Sequence, residues 1–160
     1  MVLKILNGVR AIEEWFVRVI LALMVLATFL AATNRFTIAV PLMWPEELVR
    51  ILMAWLCFIG APIGLRLGAH IGINVFVDML PVGVRRWIMR GMYILGFILC
   101  CILFYGGVKN WSNNFMQKTP AMRISIGWRY ACVPIGAVFM AVEFVCLFVN
   151  SFRDDAPAEV

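Results

Sequence analysis

Charge is scarce in this 160-residue chain. Asp, Glu, Lys and Arg together make up 14%, against about 25% in soluble domains. A single histidine, His70, is present, which excludes two-histidine haem ligation and a zinc cluster. The five cysteines, Cys57, Cys100, Cys101, Cys132 and Cys146, form no CxxC and all lie inside apolar runs. They read as small buried hydrophobes and not as a disulfide framework or metal site. The chain also lacks a Gly-rich phosphate loop, a G-x-S-x-G nucleophile setting and paired carboxylates in an apolar core. Nor does any span show the broken helix that typifies a midplane ion site. No cofactor is expected, no metal, and no self-sufficient catalytic or transport site.

What the chain has is apolar sequence. Hydrophobic residues reach 64% and the mean hydropathy is +0.94. A soluble fold of this size cannot hide so much apolar surface, so the chain belongs in a bilayer. Four runs are long enough to cross it: Trp15–Thr33, Glu46–Gly68, Trp87–Val108 and Gly127–Val149. A spanning helix needs about 20 residues, and only helices satisfy their own backbone in lipid within a single segment of this length. Trp15, Trp44, Trp87, Trp111 and Trp128 sit at or beside the ends of the runs, where an aromatic belt belongs. The first run exceeds the h-region of a signal peptide and follows Glu13 and Glu14, so it reads as a retained helix. Before it, Val2, Ile5, Leu6, Val9 and Ile12 recur at helical spacing. This amphipathic lead-in either lies in the interface or continues the first span. The expected fold is an all-α integral membrane protein, with residues 1–160 forming one four-helix domain.

The formal net charge is +5. The basic residues flank apolar runs and do not line a polar face, which points to membrane anchoring and not to nucleic acid. Lys4, Arg10, Arg18, Arg66, Arg85, Arg86, Arg90 and Arg153 fall on one side. Arg35, Arg50, Lys109, Lys118, Arg123 and Arg129 fall on the other. The bias of Lys and Arg toward the first side places both termini in the cytoplasm. The connection from Ala69 to Arg86 is apolar but too short to span, and reads as surface-lying or re-entrant. The polar tail from Asp154 is expected to fray.

The second span is the most informative. Pro45 suits a first helical position. Glu46 and Glu47 complement the helix dipole, and Glu46 stands four residues before Arg50. Fifteen uncharged residues separate Arg50 from Arg66, about 22 Å of helix, so both arginines can anchor at the interfaces. Gly60, Gly64 and Gly68 repeat every four residues and make a smooth face for close helix approach. That face serves either packing within the chain or packing on another membrane subunit. Trp55, well inside the span, serves ordinary packing or anchors a partner helix. Glu143 is the one acid well inside a span. A structural ion pair with Arg18, Arg66 or Arg90 is the expectation, with ion or proton coupling as the alternative.

The stretch Glu46-Glu47-Leu48-Val49-Arg50, Trp55, Phe58-Ile59-Gly60-Ala61, Arg66, His70-Ile71 and Leu80-Pro81 resembles the small membrane subunit of the tripartite ATP-independent periplasmic (TRAP) transporters, the DctQ-like family. Pro134-Ile135-Gly136 is similar to the family's last helix, and Asn74 departs from its frequent Asp. The resemblance covers nearly the whole chain. It implies a bacterial inner-membrane scaffold for a large elevator-type DctM-like subunit. It also implies a periplasmic DctP-like binding protein that delivers an organic anion, such as a sialic acid or C4-dicarboxylate, for sodium-coupled import. On this reading Glu46, Glu47, Arg50, Trp55, Gly60, Gly64, Arg66, Gly68 and His70 meet the partner subunit or phospholipid. A stand-alone four-helix exporter would be expected to carry an acid in its first span. A membrane enzyme would need exposed cysteine pairs or clustered aspartates. Neither pattern is present.

Overall fold

A computed structural model describes residues 2–37, 43–67 and 82–153, with side chains from residue 8 in the first stretch and over residues 84–152 in the third. It contains four helices: α1 Val2–Thr37, α2 Met43–Arg66, α3 Val82–Asn114 and α4 Gly127–Arg153. All four are long and apolar enough to cross a membrane. The chain is an all-α membrane protein. The amphipathic lead-in is the start of α1 itself, which runs unbroken for 36 residues. At 1.5 Å per residue α1 is about 54 Å long, well beyond the ~30 Å hydrocarbon core, so it projects past the bilayer or tilts within it. Three threonines on α1 return their hydroxyls to the carbonyl four residues back: Thr28 to Met24, Thr33 to Phe29 and Thr37 to Thr33. Lipid offers no other partner for such groups.

The helices pack in the order α1, α2, α4, α3. Among the described residues α1 lies along α2 only, α3 along α4 only, and α2 along α4. This is a row and not a closed bundle. Its interior is correspondingly thin: Ile20, Ala27, Ile59, Leu65, Cys100, Ala131, Cys132 and Ala137 are the buried apolar residues. Large apolar side chains, among them Leu26, Phe29, Leu95 and Ile102, remain on the outside.

Small residues set the two inner contacts. A Cβ on Gly136 of α4 would lie 2.5 Å from the carbonyl oxygen of Phe58 on α2. That oxygen is the one Pro62 releases, since proline has no N–H for the carbonyl four residues earlier. Pro62 is itself fully buried. So α4 comes closest to α2 where α2's own ladder is interrupted, and covers a carbonyl that lipid would leave bare. Between α3 and α4, Gly96 makes room for the ring of Phe144, and Gly107 for Pro134.

The α3–α4 connection is a tight reversal. Thr119 N–H donates to Ile124 and Ile126 N–H to Gln117, each at 2.8 Å. Arg123 takes a left-handed conformation, φ 54°, and Ser125 Oγ donates to the Phe115 carbonyl.

Candidate functional site

The charges that composition made scarce converge at one place. Arg10 of α1 grips Glu143 of α4 with two bonds, Nε to Oε1 at 2.9 Å and Nη2 to Oε2 at 2.7 Å. This is the bidentate, charge-assisted geometry that makes Arg–carboxylate pairs strong. Arg66, at the end of α2, stands between α1 and α4. Its guanidinium lies 3.4 Å from Glu13, 3.9 Å from Glu14 and 3.7 Å from Glu143. Arg18 pairs with Glu14 at 3.2 Å, one turn along α1. Three arginines and three glutamates thus form one neutral cluster over α1, α2 and α4. The carboxylates of Glu13 and Glu143 are each only 5% exposed, a setting in which a carboxylate calls for an arginine beside it. A groove of about 690 Å³ between α1 and α2 opens beside the cluster, edged by Arg10, Glu14, Arg18 and Arg66.

The opposite end of α2 holds a second constellation. Glu47 accepts the backbone N–H groups of Ala121 and Met122, both at 2.9 Å. Its carboxylate clamps the α3–α4 reversal onto α2. Arg50 and Arg129 line a small pocket beside this clamp, together with Thr119 and Pro120. Between the two ends, the Trp55 indole N–H donates to the Trp128 carbonyl at 3.0 Å, and its ring meets Phe16 edge-on with centroids 6.1 Å apart. Trp55 therefore ties α2 to both of its neighbours. Gly60 differs from the glycines of the inner contacts, because a Cβ there would meet nothing within 4 Å.

Residues 10–154 match the family described as tripartite ATP-independent periplasmic transporters, DctQ component. The chain belongs to this family. Among curated proteins it is 28% identical over 140 residues to the sialic acid TRAP transporter small permease protein SiaQ of Vibrio cholerae, covering 88% of this chain and 79% of that one. It is 31% identical over 132 residues to the ectoine TRAP transporter small permease protein TeaB of Halomonas elongata, covering 77% and 68%. It is 22% identical over 113 residues to the sialic acid TRAP transporter permease protein SiaT of Haemophilus influenzae; there 71% of this chain covers 18% of the longer relative. The DctQ component is a transporter part and not an enzyme, and this chain is accordingly a multi-pass inner-membrane protein.

The DctQ match begins at Arg10, the principal partner of Glu143. Sequence reading offered Glu143 three arginines. The structure brings Arg66 to it, turns Arg18 to Glu14, and sets Arg90 over the Phe152 ring at 4.1 Å with a bond to the Ser151 carbonyl at 3.3 Å. Arg10 and Glu13 lie in the amphipathic lead-in, and Glu14 directly precedes the first predicted span, outside the residues the sequence singles out as a site. Their shared face was legible nonetheless: Arg10, Glu14 and Arg18 are spaced i, i+4, i+8, with Glu13 alongside. Glu46 stays exposed in the first turn of α2 and Gly64 is half-buried. Gly68, His70 and the connection as far as residue 81, like the tail from Asp154, lie outside the described residues; the end of that connection, residues 82–86, is the first part of α3.

Proposed function

We propose that this chain is the small scaffold subunit of a TRAP transporter. In this reading it supports a large DctM-like membrane subunit that carries the substrate and ion sites. A periplasmic DctP-like protein delivers an organic acid such as a sialic acid or a C4-dicarboxylate, and sodium drives the import. Both termini face the cytoplasm, as the distribution of Lys and Arg favours. The observation that carries the reading is the open row of helices with its charges neutralised among themselves. Such a layer offers broad apolar faces to a membrane partner, while its buried carboxylates are already committed to arginines. The names of the relatives support the substrate class. The match to a minor part of a much longer permease supports a large membrane partner.

Reconstitution tests the reading. The chain should co-purify with the large subunit in mild detergent, and sodium-driven uptake in liposomes should need both. Uptake by liposomes holding this chain alone would overturn the scaffold role. Cysteine-accessibility labelling should report the periplasm at Asn113 and the cytoplasm at Arg85, and the reverse pattern would overturn the orientation.

A further inference from the structure

The two sides of the membrane receive different net charge. The side that the distribution of Lys and Arg assigns to the cytoplasm holds eight basic residues and seven acids. The outer side holds six basic residues and only two acids, Glu46 and Glu47. Four of the chain's five net positive charges therefore lie outside. Orientation follows the count of Lys and Arg and not the net charge, so insertion does not account for this excess. Its consequence is a field that draws negatively charged partners from solution.

The α3–α4 reversal carries that charge on a stiff support. Residues 115–126 follow Trp111 of α3 and precede Trp128 of α4, the tryptophans that mark the membrane boundary on these helices, so the reversal stands outside the hydrocarbon. Met116 is nonetheless 88% exposed, and Phe115 and Ile124 are exposed with it. Lys118 and Arg123 are exposed on the same short segment, and among the described residues neither enters an ion pair. Met, aromatic and Arg side chains with a charged rim are the make-up of a protein-binding patch. The backbone beneath is fixed in advance. Thr119 and Ile126 N–H donate across the reversal, Arg123 N–H donates to Thr119 at 3.1 Å, and Glu47 holds the amides of Ala121 and Met122. A surface ordered beforehand loses little entropy on binding. Arg123 also keeps a φ of 54° that glycine adopts freely, and strained positions of this kind cluster at functional sites.

We infer that the α3–α4 reversal docks an acidic face of the periplasmic binding protein, with Met116 and Ile124 in the contact and Lys118 and Arg123 opposite carboxylates. This rests on the transporter reading and orientation proposed above and deepens them: the small subunit itself receives the delivery protein. Binding of the purified, substrate-loaded DctP-like protein to the two-subunit complex in nanodiscs of zwitterionic lipid tests it, followed by surface plasmon resonance at low and high salt. Lys118→Glu with Arg123→Glu should slow association about tenfold and flatten its salt dependence, since rim charges act on the on-rate. Met116→Ser should speed dissociation. Arg123→Gly should slow association while the chain melts no lower than the parent, which separates docking from folding. Arg35→Glu makes the same charge change on the same side, but on α1 at the far edge of the row, and should bind as the parent does. Unchanged binding in the reversal variants, by a parent complex that assembles and transports, would overturn this inference alone. An equal fall for Arg35→Glu would overturn it too, by showing a field without a docking point. So would loss of the large subunit from the Lys118→Glu, Arg123→Glu complex, which would give the surface to that subunit. A parent pair that neither assembles nor transports would overturn the transporter reading and this inference together.

Discussion

Replacing Gly136 with alanine places a methyl group 2.5 Å from the Phe58 carbonyl oxygen, 2.7 Å from its Cβ and 2.9 Å from its carbonyl carbon. Two of those three atoms are backbone, so no side chain can swing aside. To restore ordinary contact near 3.5 Å the helices must part by about 1 Å, and that opens the α2–α4 contact over its length. Overpacking of this kind costs about 1–3 kcal/mol, before any gain from alanine's better helix propensity. In a chain of this size each kcal/mol moves the melting temperature by about 2–4 °C, so Gly136→Ala should melt roughly 2–12 °C below the parent in detergent. Gly60→Ala is the internal comparison. Nothing lies within 4 Å of its Cβ, and the isolated chain should melt at or slightly above the parent. In the assembled transporter the order reverses in kind: Gly60→Leu should lower co-purification with the large subunit while leaving the isolated chain stable. An unchanged melting temperature for Gly136→Ala would refute the close α2–α4 approach. A Gly60→Ala variant that melts well below the parent would refute the open face.

Glu143→Gln removes a carboxylate that accepts two charge-assisted bonds from Arg10, each worth about 1.5–3 kcal/mol. It should destabilise the chain by roughly 3 kcal/mol, and the double variant with Arg10→Gln should cost about 1–2 kcal/mol less than the sum of the singles, as read from thermal melts. Glu47→Gln leaves one side-chain oxygen for two amides; it should raise hydrogen exchange at Ala121 and Met122 severalfold while the global melting temperature changes little. Arg123→Gly relieves a left-handed conformation at φ 54°, worth about 1 kcal/mol, and should raise the melting temperature by about 2–4 °C. Trp55→Phe keeps the edge contact with Phe16 but loses the bond to Trp128; the expected loss is about 1 kcal/mol, checked against Trp111→Phe, whose ring meets only Phe115 among the ring pairs found.

The four helices were legible because lipid permits so few alternatives. A run of 19 to 23 apolar residues has only the helix in which to satisfy its backbone, and each predicted span falls inside an observed helix, except that the second ended at Gly68, beyond the described residues. Their order in the row was not legible. Apolar side chains look the same whether they face a neighbour or a fatty acid, so hydropathy could not show that α2 and α4 are central. The glycine stripe of α2 drew attention by its spacing, yet the glycines that set internal contacts, Gly96, Gly107 and Gly136, are spaced too irregularly to form a pattern. Charge was more informative than spacing. Glu143 stood out by depth alone, and Arg66 by its place at the end of α2. Arg10 was hidden because it lies in a segment whose continuity with α1 the periodicity left open.

That continuity explains how a neutral cluster can hold a row together. Helices α1 and α4 do not pack on each other, yet the side chains of Arg10 and Glu143 meet beside Arg66, the last residue of α2. A lipid-facing helix has little reason to choose one apolar neighbour over another, whereas a carboxylate held in an apolar setting tolerates very few positions for its arginine. The ion pairs therefore fix which helices are neighbours, and the glycine contacts fix how close they come. The same geometry bears on ion coupling. Both oxygens of Glu143 accept from Arg10 at 2.9 and 2.7 Å, and Arg66 adds a second guanidinium at 3.7 Å. A sodium ion at this carboxylate would have to displace one guanidinium and sit beside another, two like charges in a poorly solvated place. The cluster is therefore closed to a cation at Glu143, which suits the supporting role proposed above.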